Sequence, residues 1–229
     1  MTDKTTLAGA TIAFDLDGTL VDTAPDLVGT LNVLLVEERL PPLALDAARP
    51  FIGHGAARLI ERGFAAAGAP LAPEHAPVLF ERFIRYYRAH IADKSRPFPG
   101  AVPALEALRA EGALLAVCTN KPTNLSIALL DALDLSRLFD AVVGADRASA
   151  PKPDARHLHA AVDEAGGEIG RALMVGDAAT DAGAARAAGV GLILVSFGYT
   201  EIPAAELAPD VLIHHFDELV GACRRLLSA

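Results

Sequence analysis

Cysteine is nearly missing from this chain. Only Cys118 and Cys223 occur among 229 residues, far apart and outside any CxxC pair. Both fall in apolar text, so a disulfide framework is set aside and buried thiols are expected. Long runs of Lys or Arg are also missing, and 20 basic against 29 acidic residues leave a formal net charge of −9. Neutralising nucleic-acid phosphates takes clustered cations, so nucleic acid is not an expected partner. A small anion remains compatible with an acidic surface, because a local pocket can oppose the global sign. No uninterrupted apolar run has the length of a bilayer span, so no membrane partner is expected. The start does not read as a secretory signal either: the apolar stretch from Leu7 runs into Asp15, not into a small-residue cleavage site. Cytoplasmic residence is the expectation. Internal repeats and low-complexity tracts are missing too, alanine-rich helical text aside.

What is present is a well-cored globular chain, with 52% hydrophobic residues and positive mean hydropathy. Its length allows one large domain, or one domain with a small companion. The most informative segment is Thr11-Ile12-Ala13-Phe14-Asp15-Leu16-Asp17-Gly18-Thr19-Leu20-Val21. An apolar run stops abruptly at two carboxylates one residue apart, then a glycine and a hydroxyl. Such a run reads as a buried strand whose carboxyl end opens into a crevice. Continued extension sends Asp15 and Asp17 to the same side, where like charges repel and a bound cation is the usual remedy.

From residue 100 onward strand-like and helical text alternate. Strands are expected at 113–118, 141–143, 172–175, 191–195 and 211–213, and helices at 102–110, 122–133, 154–165, 179–188 and 217–227. Alternation of this kind indicates an α/β domain with a mainly parallel sheet. Residues 23–95 differ. Four helical stretches (25–39, 45–50, 55–67 and 73–91) follow one another with proline-rich joints and no convincing strand. A helical block inserted after the first strand, returning near Lys94-Ser95-Arg96-Pro97, reads as a mobile lid. The expected division is a core of 1–22 and 95–229 with a helical cap of 23–94.

Three further candidates fall at strand ends. Thr119 and Asn120 follow the strand at 113–118, offering a hydroxyl and a backbone N–H to an oxyanion, although a threonine there also suits a turn. Lys152 stands between Pro151 and Pro153, which hold its backbone stiffly; a solvated surface lysine is the alternative. Asp177 ends a strand and Asp181 follows four residues later, a helical spacing that lets both address one cation. Asp177 as a helix cap and Asp181 as a solvated first-turn acid is the competing reading.

In that order, the carboxylate pair, Thr119, Lys152 and the acidic pair resemble the haloacid dehalogenase superfamily, specifically its phosphatases. The resemblance covers the whole chain, helical insertion included. It implies a Rossmann-like, mainly parallel α/β core with an inserted α-helical cap domain. It further implies a Mg²⁺-dependent phosphomonoester hydrolase acting on a small phosphorylated metabolite through an aspartyl-phosphate, as a monomer or homodimer. Carried over residue by residue, Asp15 is the nucleophile and Asp17 the general acid–base. Thr119, Asn120 and Lys152 bind the phosphoryl group. The metal is held by Asp15, the backbone carbonyl of Asp17, and Asp177, with Asp181 orienting a metal water or Lys152. Ala178 stands where many relatives have serine, which is expected to alter a supporting hydrogen bond.

Relatives that cleave carbon–halogen or carbon–phosphorus bonds lack an acid at the position of Asp17. Pro25-Asp26-Leu27-Val28-Gly29 lacks the histidine that sugar-phosphate mutases carry in the first cap helix. Hydrolysis is therefore expected over transfer. The text from Arg49 to Ile60 looks like that of phosphoglycolate phosphatases, which implies 2-phosphoglycolate as substrate. Gly53 and Gly55 around His54 suit close approach to a small anion, and Arg58 suits a two-pronged bond to a carboxylate. A helix-entry turn with a solvated arginine is the alternative for that segment. Other functions in view are a phosphatase for another small ester, such as a sugar phosphate or N-acetylmuramate 6-phosphate, a phosphomutase, and a non-catalytic binding protein on the same fold.

Overall fold

Alternation of side chains across a strand decides how this chain layers itself. In β1 (Thr11–Phe14) Ile12 and Phe14 face one side and Ala13 the other, and all are fully buried. The computed structural model describes residues 7–228, so residues 1–6 of the expected core and Ala229 lie outside it. In chain order the remaining strands are β2 (Val21–Asp22), β3 (Arg96–Pro97), β4 (Leu114–Thr119), β5 (Ala141–Gly144), β6 (Ala172–Gly176), β7 (Gly191–Val195) and β8 (Val211–Ile213). The helices are α1 (Ala24–Glu37), α2 (Leu45–Ala48), α3 (Ala56–Ala66), α4 (Ala76–Ala89), α5 (Ala101–Ala110), α6 (Thr123–Ala132), α7 (Ala155–Glu164), α8 (Ala179–Ala188) and α9 (Leu219–Leu227).

Six strands form one sheet in the order β5-β4-β1-β6-β7-β8, parallel throughout. Helices cover both faces, as all-parallel sheets require. Ile12, Phe14, Leu115, Val117 and Val175 pack with α5 and α9 through Leu105, Leu108 and Ala222. On the other face Ala13, Ala116 and Met174 meet Ala161 of α7 with Ala182 and Ala185 of α8. These small residues let the two helices lie close to the strands. The expected α/β fold with a mainly parallel sheet is what the chain adopts.

Between β2 and β3 the helical block α1–α4 builds an apolar cluster of its own around Leu31, Leu34, Leu59, Phe64, Phe83 and Tyr87. Leu125 of α6 and Tyr199 join that cluster from the sheet body. The two short strands pair antiparallel, Val21 opposite Pro97 and Asp22 opposite Arg96, so the chain leaves and returns at one place. Two-residue strands are too short for an alternation pattern, and neither is visible in the sequence. Beside them, buried Asp26 accepts from the Lys94 and Ser95 N–H groups and the Ser95 hydroxyl, the last at 2.6 Å. One carboxylate thus ties the start of α1 to the return segment. The expected helix at 45–50 stops at Ala48, and Arg49–Phe51 tightens into a 3₁₀ turn around Pro50. Among the described residues no helix is long and apolar enough to cross a membrane.

Candidate active site

Parallel strands deliver their carboxyl ends to one edge of the sheet. Phe14 is in register with Val117 of β4 and with Val175 of β6, so Asp15, Thr119 and Asp177 emerge side by side. The order β5-β4-β1-β6 changes direction at β1, which opens a crevice at that point.

Asp15 is held from both sides. Its N–H donates to Val175 O at 2.9 Å, while its Oδ1 accepts from Leu16 N–H at 2.7 Å and lies 3.0 Å from Lys152 Nζ. Burial pushes its pKa up to about 6; the Lys152 charge opposes that rise, and Asp181 and Asp17 add to it. Asp177 is buried more harshly. Burial, then the charges of Asp181 and Asp15, push it up to about 8, against hydrogen bonds from Tyr199 N–H (2.7 Å) and the Thr19 hydroxyl (2.8 Å). Gly18 makes room for this carboxylate. At φ +86° it turns the chain as other residues rarely can, and a Cβ there would come within 2.7 Å of Asp177 Oδ2.

Asp181 uses both its oxygens inside the protein. Oδ1 takes Lys152 Nζ at 2.6 Å, and Oδ2 caps the N–H groups of Asp177 and Ala178, each at 3.0 Å. Its side chain is fully buried, which disposes of the solvated first-turn reading. Because Ala178 has no hydroxyl to share the capping, Asp181 does it alone. Lys152 is equally enclosed. Burial lowers its pKa, but Asp15 and Asp181 outweigh that and hold it raised and charged. It is no surface lysine.

The loop that carries Lys152 is clamped by two groups. The Asn120 side chain accepts from Lys152 N–H at 3.0 Å and donates to Lys152 O at 3.1 Å. His157 Nδ1 accepts from the same N–H at 3.1 Å, while its Nε2 faces Val143 O at 3.1 Å. Burial, then the Lys152 charge, lower the His157 pKa to about 4, so the ring is neutral, with Nε2 donating. The Asn120 side chain is therefore spent on the loop of Lys152, and only its main chain is left to face a ligand.

Asp17 belongs to a separate cluster. Both its oxygens meet Lys121 Nζ, at 3.0 and 3.2 Å, and Lys121 also donates to the Tyr87 hydroxyl at 2.8 Å. Asp15, Asp17, Thr119 and Asn120 line one cavity, roofed by Ile52, Leu59, Phe83 and Tyr87 from the helical block. His54 and Arg58 do not reach it. They share an outward groove with Glu61 and Arg62, and Arg58 is 64% exposed in an ion pair with Glu61 at 2.6 Å. The helix-entry reading of that segment fits the structure.

Asp15, Asp177 and Asp181 each bring an oxygen within 4.8 Å of the others. Three carboxylates facing the single ammonium of Lys152 leave two negative charges to be balanced when all are ionised. With Asp181 committed to Lys152 and the backbone, Asp15 and Asp177 are left as oxygen donors. A hard divalent cation such as Mg²⁺ fits such a set, and no thiolate or imidazole ligand competes there.

Carboxylate oxygens and a buried ammonium gather at the switch point of a parallel sheet, where α/β enzymes bind their ligands. Residues 12–195 match the family described as haloacid dehalogenase-like hydrolase, and the chain belongs to that family of hydrolases. It is 60% identical over 223 residues to a phosphoglycolate phosphatase of Caulobacter vibrioides, covering 97% of this chain and 94% of that one. A phosphoglycolate phosphatase of Agrobacterium fabrum is 46% identical over 209 residues, covering 91% and 90%. In structure the chain is similar to a predicted phosphoglycolate phosphatase from Haemophilus somnus, with a TM-score of 0.85 and 30% identity over 97% of this chain and 99% of that one. The resemblance read from the motifs thus holds for the family.

Four residues at the site escaped the reading of the sequence: Lys121, Tyr87, His157 and Tyr199. Lys121 sits beside Thr119-Asn120 and could have been marked by position, as could His157, five residues after Lys152. Tyr87 and Tyr199 arrive from distant segments and carry no local signal. Tyr199 links two regions, its N–H on Asp177 and its hydroxyl donating to Asp22 Oδ1 at 2.5 Å and accepting from Ala24 N–H.

Proposed function

We propose that this enzyme is a Mg²⁺-dependent phosphomonoester hydrolase whose substrate is 2-phosphoglycolate. The observation that carries the reading is the placement of Asp15. Its carboxylate lines the cavity, is gripped by Lys152, and faces a second buried acid, Asp177. Asp15 attacks phosphorus, and the bond from phosphorus to the ester oxygen breaks as Asp17 gives that oxygen a proton. Asp17 then takes a proton from a water that attacks the aspartyl-phosphate, releasing inorganic phosphate and restoring Asp15. The Thr119 hydroxyl, the Asn120 main chain and the Lys152 ammonium hold the phosphoryl oxygens. Asp15, the Asp17 carbonyl and Asp177 would hold Mg²⁺, which would supply charge neutralisation and polarise the phosphoryl group. Asp181 keeps Lys152 and the Asp177 backbone in place.

In this reading residues 23–94 form a cap over a core of residues 1–22 and 95–229, and water is excluded when the cap closes. The relatives' names support the substrate. The cavity that Asp15 lines is roofed by apolar side chains of the helical block. Lys121, not Arg58, is the cation on its wall. The enzyme is read as a cytoplasmic monomer or homodimer. Phosphate release from a panel of small esters, with and without Mg²⁺, tests the proposal. The expected result is highest kcat/KM on 2-phosphoglycolate and none in excess chelator. A best rate on a bulky sugar phosphate contradicts the substrate, and undiminished turnover in chelator contradicts the metal.

A further inference from the structure

Lys121 has no part in the chemistry above, and its surroundings give it one. Its side chain is 4% exposed, and burying an ammonium costs several kcal/mol unless partners compensate. The partners are the two oxygens of Asp17 and the hydroxyl of Tyr87. An ammonium has three N–H groups, and these three acceptors use them all. None is left for a substrate while the cluster is intact. Burial acts to lower the Lys121 pKa, but Asp17 and Tyr87 outweigh it and keep the group charged.

The three residues come from three places. Asp17 follows β1, Lys121 follows β4, and Tyr87 lies in α4 of the helical block. Nζ also sits 4.5 Å from the centre of the Tyr87 ring, so hydroxyl and ring face the same cation. We propose that Lys121 is a positioning residue that fixes the Asp17 carboxylate at the cavity, and that Tyr87 makes this grip depend on closure of the helical block. The inference rests on the hydrolase reading, which assigns Asp17 its proton transfers. Asp17 stands two residues from Asp15, whose like charge repels it, and an ion pair through both oxygens holds it against that repulsion. Proton transfer from the attacking water gains from a carboxylate fixed in one orientation, because the ion-paired form is the one that accepts a proton. Withdrawal of α4 takes the hydroxyl and ring from Lys121 and admits water around the pair, which frees the Asp17 side chain. The acid–base group is then fully assembled only over a closed site.

The test compares steady-state kcat and KM for 2-phosphoglycolate, with Mg²⁺, in wild type, Asp15→Asn, Lys121→Met, Lys121→Ala and Tyr87→Phe, with thermal unfolding of each. Lys121→Met is expected to lower kcat by about 10²-fold, within the span of general acid–base catalysis, with KM changed less than about threefold. Tyr87→Phe is expected to lower kcat by about 3- to 10-fold with KM unchanged, the net effect of one ordinary hydrogen bond on the placement of Lys121. Ethylammonium added to Lys121→Ala should restore part of the lost kcat. Because Tyr87→Phe removes one oxygen and keeps the ring, it decides the matter even where Lys121→Met fails to fold. Wild-type kcat in Tyr87→Phe, or losses that appear wholly in KM, overturn the inference and make Lys121 a substrate ligand or a structural group. An active wild type whose Asp15→Asn form is dead upholds the hydrolase reading whatever the Lys121 variants do. An inactive wild type overturns both.

Discussion

The floor of the site and its roofed side are built on different principles. On the floor, Asp15, Asp177, Asp181 and Lys152 come from loops at neighbouring strand ends of one sheet, and their contacts are made within the sheet body. On the roofed side, Asp17 is held by Lys121, which in turn needs Tyr87 from the helical block. The floor is a fixed charge array with too many carboxylates for its one ammonium. The roofed side is an ion pair balanced one to one, with an apolar lining supplied across a boundary. The exposed pair Arg58 and Glu61 lies outside both regions.

Substitutions can separate the two regions. Asp17→Asn keeps the shape of the roofed side, removes its proton chemistry and leaves the buried Lys121 ammonium without its counter-charge, so kcat should fall by about 10²- to 10⁴-fold and the unfolding temperature should fall with it. A loss of stability in place of activity would make Asp17 a structural partner of Lys121. Asp181→Ala attacks the floor, leaving Lys152 half paired and two buried N–H groups without an acceptor. Breaking a buried pair costs about 3–5 kcal/mol, and each kcal/mol lowers the melting temperature by about 2–4 °C at this chain length. Calorimetry showing a change under about 1 kcal/mol would contradict the geometry drawn for Asp181.

Acidity sharpens the same contrast. Asp15 and Asp177 have pKa values raised from 3.8 to about 6 and about 8. Raised values mean that the folded protein holds protons the unfolded chain releases. Their contribution to stability is full below about pH 4 and drains as pH rises through the two folded values. In chelator, the unfolding temperature should fall between about pH 5 and pH 8.5 on this ground, and Mg²⁺ should restore it mainly at the upper end, because it binds the deprotonated carboxylates. Thermal scans in which Mg²⁺ stabilises equally at both ends, or not at all, would remove the metal from the floor. The smallest effect belongs to Arg58→Ala. An exposed ion pair outside the cavity is worth at most about 1 kcal/mol, so kcat/KM for 2-phosphoglycolate should stay within about twofold of wild type. A selective loss on the carboxylate-bearing ester would bring Arg58 back to the substrate.

The same division explains what could be read from the sequence. Buried strands ending in polar residues are local features, so Asp15, Thr119, Lys152, Asp177 and the parallel sheet were visible without coordinates. Where each side chain spends its hydrogen bonds was not. Asn120 looks free until the Lys152 loop folds back onto its amide, and Asp181 looks like a surface acid until Lys152 and two N–H groups close on it. The placement of Arg58 was not legible either: its helix starts beside the cavity, with Gly55 and Ala56 on the wall, but its own side chain lines the outer groove. Tyr87 lies 34 residues from Lys121, and no periodicity along the chain reports such a meeting. The β2–β3 pairing and the Asp26 tie are of the same kind, being contacts between segments about seventy residues apart.

The most direct measurement asks where the phosphoryl group goes. Wild-type enzyme turning over 2-phosphoglycolate with Mg²⁺ is quenched in acid within its first turnovers, and its peptides are weighed by mass spectrometry, beside an Asp15→Asn control. One phosphoryl group on the peptide carrying Asp15, absent from the control and accompanied by loss of phosphate release there, is the predicted result. Full phosphate release by Asp15→Asn, or a phosphoryl group found on another residue, would contradict it.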